Sequence, residues 1–238
     1  MRTRLLIPAL LTAGLLLGGC TGSSGGSDSG GDAKGGDAAA LAARLTDAKT
    51  ALDKAETISI SLSTKNLPDD VTGLLSATGK GNHSPAFTGK VSVVTGGASL
   101  GADVIATGGK VYAKTGFLPD FTVIDPATLK APDPATLLKA DGGITEILTK
   151  TDGLAEDGQS RDGKDVLTSI KGTLPGTVVQ TIIPSAAADQ TFTVVYRLDD
   201  DDNLRDATLT GQFYAPAAKV TYTVALETSD TPVTIEAP

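Results

Sequence analysis

The chain of 238 residues has one cysteine, one histidine and no tryptophan, and its aromatic content is four tyrosines and five phenylalanines. A single cysteine excludes an intrachain disulfide, and one cysteine with one histidine cannot build a zinc site. Neither a phosphate-cradling glycine loop nor a dinucleotide fingerprint occurs. Gly97-Ala98-Ser99-Leu100-Gly101 has the spacing of a hydrolase nucleophile elbow. That motif needs a strand-turn-helix setting, and here it sits at a hairpin entering another strand, with His83 upstream in a polar loop. Asp199 to Asn203 is acidic like a calcium loop but lacks the glycine and terminal glutamate such loops need, and reads as a solvated turn. Neither a catalytic set nor a cofactor or metal site is expected. The formal charge of −8 argues against nucleic acid as a partner.

What is present begins at the N-terminus. Arg2 and Arg4 precede an apolar run from Leu5 to Leu17, too short for a permanent span. Leu15-Leu16-Leu17-Gly18-Gly19-Cys20 follows and resembles the lipobox of bacterial lipoproteins. The resemblance implies a signal peptide over 1–19, cleavage before Cys20 and diacylglyceryl attachment to its thiol. Loss of Arg2 and Arg4 takes the formal charge from −8 to −10. Anchoring on the extracytoplasmic face of the cell membrane would then rest on acyl chains, each buried methylene contributing ~0.8 kcal/mol. Residues 20–37 are Gly, Ser and Asp-rich and read as a tether, and 38–238 as one folded domain.

Within that domain Leu41, Leu45, Ala48, Leu52 and Ala55 recur at helical spacing, predicting a helix over 38–57. Ile58, Ile60 and Leu62 then alternate with serines as in a half-buried strand. Gly96-Gly97 and Gly108-Gly109 are hairpin signals. Two-residue loops there set Phe87 opposite Ala106, Gly89 opposite Val104, Val91 opposite Ala102 and Val93 opposite Leu100. The second turn sets Val111 opposite Ala106 and Ala113 opposite Val104. One face of the three strands becomes wholly apolar, and a shift of one residue would mix it.

Residues 117–130 read as irregular. Asp133-Pro134 predicts a helix start, with Leu137 and Leu138 before a break at Gly142-Gly143 and Ile144, Ile147 and Leu148 after it. Arg161-Asp162-Gly163-Lys164 reads as a hairpin turn leading into a strand over 166–170, and Pro175 to Ile183 as a short helix with Val178, Val179, Ile182 and Ile183 on one side. Strands follow over 191–198, 204–214 and 219–226. The fold class expected is α+β: a single curved antiparallel sheet with helices on one face.

Small residues on the apolar face (Gly89, Ala102, Ala106, Ala113 and Gly211) admit two readings. They let a helix approach closely, or they leave room for a ligand. Short, glycine-broken helical segments fill a wide sheet poorly, which favours an apolar cavity. The alternative is a surface interaction or structural lipoprotein with a filled core.

Phe87-Thr88-Gly89-Lys90-Val91, Gly108-Gly109-Lys110-Val111-Tyr112-Ala113, Val123-Ile124-Asp125-Pro126, Asp162-Gly163-Lys164-Asp165-Val166 and Pro232-Val233-Thr234-Ile235 stand in the order seen in the actinobacterial LppX/LprA/LprF/LprG lipoproteins. From about Ala38 to Pro238 the chain resembles that family. The resemblance implies a half-barrel with helices over its concave face, enclosing a cavity for acylated lipids or glycolipids carried across or within the envelope, with an export transporter as a further partner. The lining expected from the residues comprises Phe87, Gly89, Val91, Val93, Leu100, Ala102, Val104, Ala106 and Val111 on the strands, and Leu137, Leu138, Ile144, Ile147, Leu148, Val178, Val179, Ile182 and Ile183 on the helical segments.

Overall fold

The computed structural model describes residues 32–129 and 131–238, with side chains from residue 37 onward. Cys20, the segment 1–19 and most of the expected tether lie outside the described residues. The first helix, α1, runs Asp32–Lys54. It begins inside the stretch read as tether, and it ends before Thr57, which already belongs to a strand.

Eleven antiparallel strands form one sheet. The first six are β1 Thr57–Lys65, β2 Gly73–Asn82, β3 Ala86–Thr95, β4 Ala98–Thr107, β5 Lys110–Thr115 and β6 Leu118–Ile124. The remaining five are β7 Asp152–Asp162, β8 Asp165–Pro175, β9 Thr191–Leu198, β10 Leu204–Gly211 and β11 Val220–Ser229. Their spatial order is β6-β5-β4-β3-β2-β1-β11-β10-β9-β8-β7. The chain therefore builds two meanders, β1 to β6 outward and β7 to β11 inward, which join where β1 pairs with β11 from Thr57↔Ser229 to Lys65↔Thr221.

The β3–β4–β5 register is the one expected from the turns. Phe87 pairs with Ala106, Gly89 with Val104, Val91 with Ala102 and Val93 with Leu100, and Val111 follows opposite Ala106. All four turn glycines have positive φ, between 57° and 76°, a conformation glycine adopts without steric cost.

Three strands were not read from the residues. β6 replaces part of the stretch taken as irregular, and its Pro119 is tolerable because β6 is an edge with one row of unpaired groups. β7 is the other edge, polar and mostly exposed, with two register irregularities against β8. β2 has Gly79 and Gly81 at inward positions, so it lacks the apolar alternation that marks a half-buried strand.

The connection from β6 to β7 must travel from one edge of the sheet to the other. A curved sheet brings its edges toward each other, and the connection crosses the concave side. It does so as 3-10 turns at Pro126–Leu129, Thr136–Leu138 and Ile144–Lys150 rather than as the α-helix expected from residue 133. Asp133 lies ahead of the second of these and does not cap it: its carboxylate accepts the Ala135 N–H at 2.9 Å, and the cap position is Ala135, with no side-chain cap bond. α2, Gly176–Ile182, links β8 to β9.

α1 closes one end of the half-barrel. Leu41, Leu45, Ala48 and Leu52 are buried. Arg44 meets Asp202 of the β9–β10 turn at 2.5 Å. Lys49 bonds Asp53 at 2.5 Å and Glu146 of the connection at 3.2 Å. The His83 ring nitrogens lie 3.0 Å from the Leu52 carbonyl oxygen and 2.6 Å from that of Leu138, tying the β2–β3 turn to both.

Candidate functional site

On the inner face β1 contributes Ile60 and Leu62, β10 Ala207 and Leu209, and β11 Tyr222, Val224 and Leu226. These follow from strict alternation: Leu209 pairs with Tyr222 and Ala207 with Val224, while Thr208 and Thr223 pair on the convex side. Over them the connection lays Ala131, Pro132, Leu137, Ile144, Thr145, Ile147 and Leu148, and α2 lays Ile182 with Ile183 beyond it. Leu52 of α1, Leu74, Tyr196, Leu204 and Tyr214 complete the wall. The cavity has a volume of about 140 Å³ and opens to solvent at a mouth.

Four polar side chains reach this wall, and each is satisfied within the protein. Thr145 donates to Asp53 at 2.9 Å. The Tyr196 hydroxyl donates to the Ile147 carbonyl oxygen at 3.3 Å and pairs with Thr151 Oγ1 at 2.7 Å. Leu74 N–H donates to the Tyr214 hydroxyl at 3.3 Å, Tyr214 pairs with Tyr222 at 2.7 Å, and Tyr222 donates to the Leu74 carbonyl at 3.1 Å. That last set closes on itself, beside the irregularity between Leu74 and Ser76. Burial holds the Tyr196 and Tyr222 phenols well above their ordinary pKa, with the neighbouring Tyr214 adding to the second. Neutral, fully bonded phenols leave the cavity with nothing to offer but apolar surface.

Of the residues expected to line it, Leu137, Ile144, Ile147, Leu148, Ile182 and Ile183 do. Phe87, Gly89, Val91, Val93, Leu100, Ala102, Val104, Ala106 and Val111 share the inner face farther along the sheet, outside the wall, and Leu138, Val178 and Val179 lie off it as well. The small residues on that face seat the protein's own rings. A Cβ on Gly79 or Gly89 would stand 2.5 or 2.7 Å from the Phe87 ring. One on Gly211 would stand 2.1 Å from the Phe192 ring, which packs edge-on to Phe213 at 4.9 Å. The close-packing reading of the small residues therefore holds at these positions.

The wall positions that the residues did not mark sit mostly on β1, β10 and β11, whose inward alternation was plain in the sequence. What was missing was that the first and last strands are neighbours.

Ser99 lies in β4 with its hydroxyl 2.9 Å from Ser92 Oγ across the hairpin, while His83 lies at the opposite end of these strands. Asp199 Oδ1 accepts the backbone N–H groups of Asp201 and Asn203 and so shapes the acidic turn. Among the described residues no cluster of metal-ligating side chains occurs, and no helix is long and apolar enough to cross a membrane.

The model of the LppX_LprAFG lipoprotein family matches residues 37–236. The chain belongs to this lipoprotein family. Two solved structures show the same fold. LprF from Mycobacterium bovis is 17% identical with a TM-score of 0.67, over 84% of this chain and 97% of its own. Lipoprotein LppX from Mycobacterium tuberculosis is 19% identical with a TM-score of 0.59, over 83% of this chain and 99% of its own. No curated protein matches the chain.

Proposed function

We propose that this family member is a non-catalytic lipid carrier, anchored through Cys20 to the extracytoplasmic face of the cell membrane. It would take the alkyl chains of an acylated lipid or glycolipid into the cavity under the connection and move that lipid within or across the envelope. An export transporter is a natural partner for such a carrier. The observation that carries this reading is an apolar cavity between sheet and connection whose every wall hydroxyl is already bonded. Only an apolar ligand gains by entering it. Each buried methylene contributes ~0.8 kcal/mol relative to water, and a bilayer offers the same, so exchange between the two is close to neutral.

The test is native mass spectrometry of the full chain released from mild detergent, which should show an added lipid mass. A chain that stays empty after incubation with lipid vesicles overturns the proposal. Cys20→Ser should abolish membrane attachment, read by detergent-phase partitioning; unchanged partitioning removes the anchor from the reading.

A further inference from the structure

Among the described residues the large hydrophobic side chains left exposed are Phe117, at 87%, Leu118 and Val123, and all three belong to the β5–β6 hairpin. We propose that the tip of this hairpin, Phe117 with Leu118, docks the protein on a lipid bilayer by inserting between the headgroups, in an attachment that is apolar and not electrostatic. Docking is separate from cavity loading and stands whether or not the cavity takes lipid.

Position comes first. Thr115 pairs with Ala102, Ala102 with Val91, Val91 with Ala77, and Ala77 stands opposite Leu62 of the cavity wall. The tip that follows Thr115 stands at the end of the sheet away from α1, whose own end is marked by the His83–Leu52 contact. Thr115 also pairs with Leu118, and its hydroxyl accepts the Phe117 N–H at 3.4 Å, so the hairpin itself fixes the tip.

Charge points the same way. At the α1 end the turns are ionic, with Asp199 to Asp202 in one and Asp162, Lys164 and Asp165 in another. Thr95 to Ala98 and Thr115 to Leu118, the turns at this corner, carry no charge, and Lys114 and Asp120 beside the tip offset each other. Asp69 and Asp70 lie on the β1–β2 connection at the same end, so the β5–β6 corner alone meets lipid. Size then separates a bilayer from a protein partner. Two side chains at a convex tip cover about 300–400 Å², short of the roughly 800 Å² per partner that a stable protein interface buries. A bilayer demands no matching shape, and aromatic rings settle at its headgroup level.

The chain has no tryptophan, so Phe117→Trp introduces a single reporter, at a side chain exposed enough that a larger ring disturbs no packing. Val123→Trp is the comparison, exposed as well but five residues along β6 from Leu118, or roughly 16 Å. Each full-length variant is reconstituted into phosphatidylcholine vesicles with and without bromine on the acyl chains. The indole of Phe117→Trp should emit to the blue and lose most of its emission to the brominated chains, while that of Val123→Trp loses little. Adding phosphatidylglycerol or salt should change neither, because the corner has no net charge to be attracted or screened. A water-like emission from Phe117→Trp overturns the docking. Blue emission that bromine leaves intact sets the tip against protein, and equal quenching of both variants lays the whole edge on the membrane; either result overturns tip insertion. Quenching that responds to phosphatidylglycerol or salt overturns the apolar attachment.

Discussion

Tyr196 and Tyr222 are 0% and 5% exposed, and both keep their phenolic protons at a pH where an unfolded chain would lose them. The sign follows from linkage. A folded pKa above the ordinary value near 10 means stability is whole below pH 10 and falls as pH rises beyond it. Each such phenol lowers stability by ~1.4 kcal/mol per pH unit, about 2.7 for the pair. Urea unfolding should show stability level near pH 9 and that slope approached between pH 10.5 and pH 11.5, and Tyr196→Phe should roughly halve it. A stability that stays level through pH 11 would contradict the burial of both hydroxyls. Residue scale is also where the sequence misleads most. A glycine on an apolar strand face says only that a side chain is absent: at Gly211 the vacated space belongs to the Phe192 ring, and at Gly89 to the Thr78 carbonyl oxygen, 2.2 Å from a Cβ there, with the Phe87 ring at 2.7 Å. Nothing local to Gly211 records that the Phe192 ring arrives from the neighbouring strand, whereas Phe87 stands two residues before Gly89 on its own strand.

The connection between β6 and β7 is the element on which the site depends, and it was half legible. Its apolar residues and its break at Gly142-Gly143 were plain, the break because Gly142 has φ +74° and a Cβ on Gly143 would lie 2.0 Å from the Lys139 carbonyl oxygen. Its 3-10 character was not, since a segment stretched across a concave sheet is shaped by the span more than by helical propensity. α1 holds it down through Lys49, whose ammonium is kept above its ordinary pKa by the bond to Asp53 and by Glu146, against the opposing effect of burial. Asp53 in turn takes the Thr145 hydroxyl. Lys49→Met should cost about 1.5–3 kcal/mol, the range for a bond to a charged group. Hydrogen exchange should locate the effect. Amides of residues 144–150 should lose protection while those of β9 and β10 keep theirs. Uniform loss across both would assign Lys49 to general stability instead of to the connection.

At the scale of the molecule, the periodicity of β1, β10 and β11 gave each strand its inward face, and the hairpins gave three strands their register. Strand order lay beyond that, because the β1–β11 pair joins residues such as Ile60 and Leu226, far apart in the chain. Once the ends meet, the inner faces of β1, β10 and β11 become the floor of the cavity, and α1 and the connection become its end wall and roof. A floor position should therefore respond unlike a core position. Leu209 is half-buried, faces inward from the middle of β10 and pairs with Tyr222. Leu209→Trp places an indole in space that is empty of protein atoms, so strain from overpacking, normally ~1–3 kcal/mol, is avoided while an alkyl chain loses its room. Thr208→Trp, one residue away on the convex face, supplies the comparison. The expected result is a thermal midpoint near that of the unaltered protein for both variants, with lipid retention lost only in Leu209→Trp. A Leu209→Trp protein that melts far earlier would make the floor a packed core. One that retains lipid as before would place the alkyl chains somewhere other than the cavity.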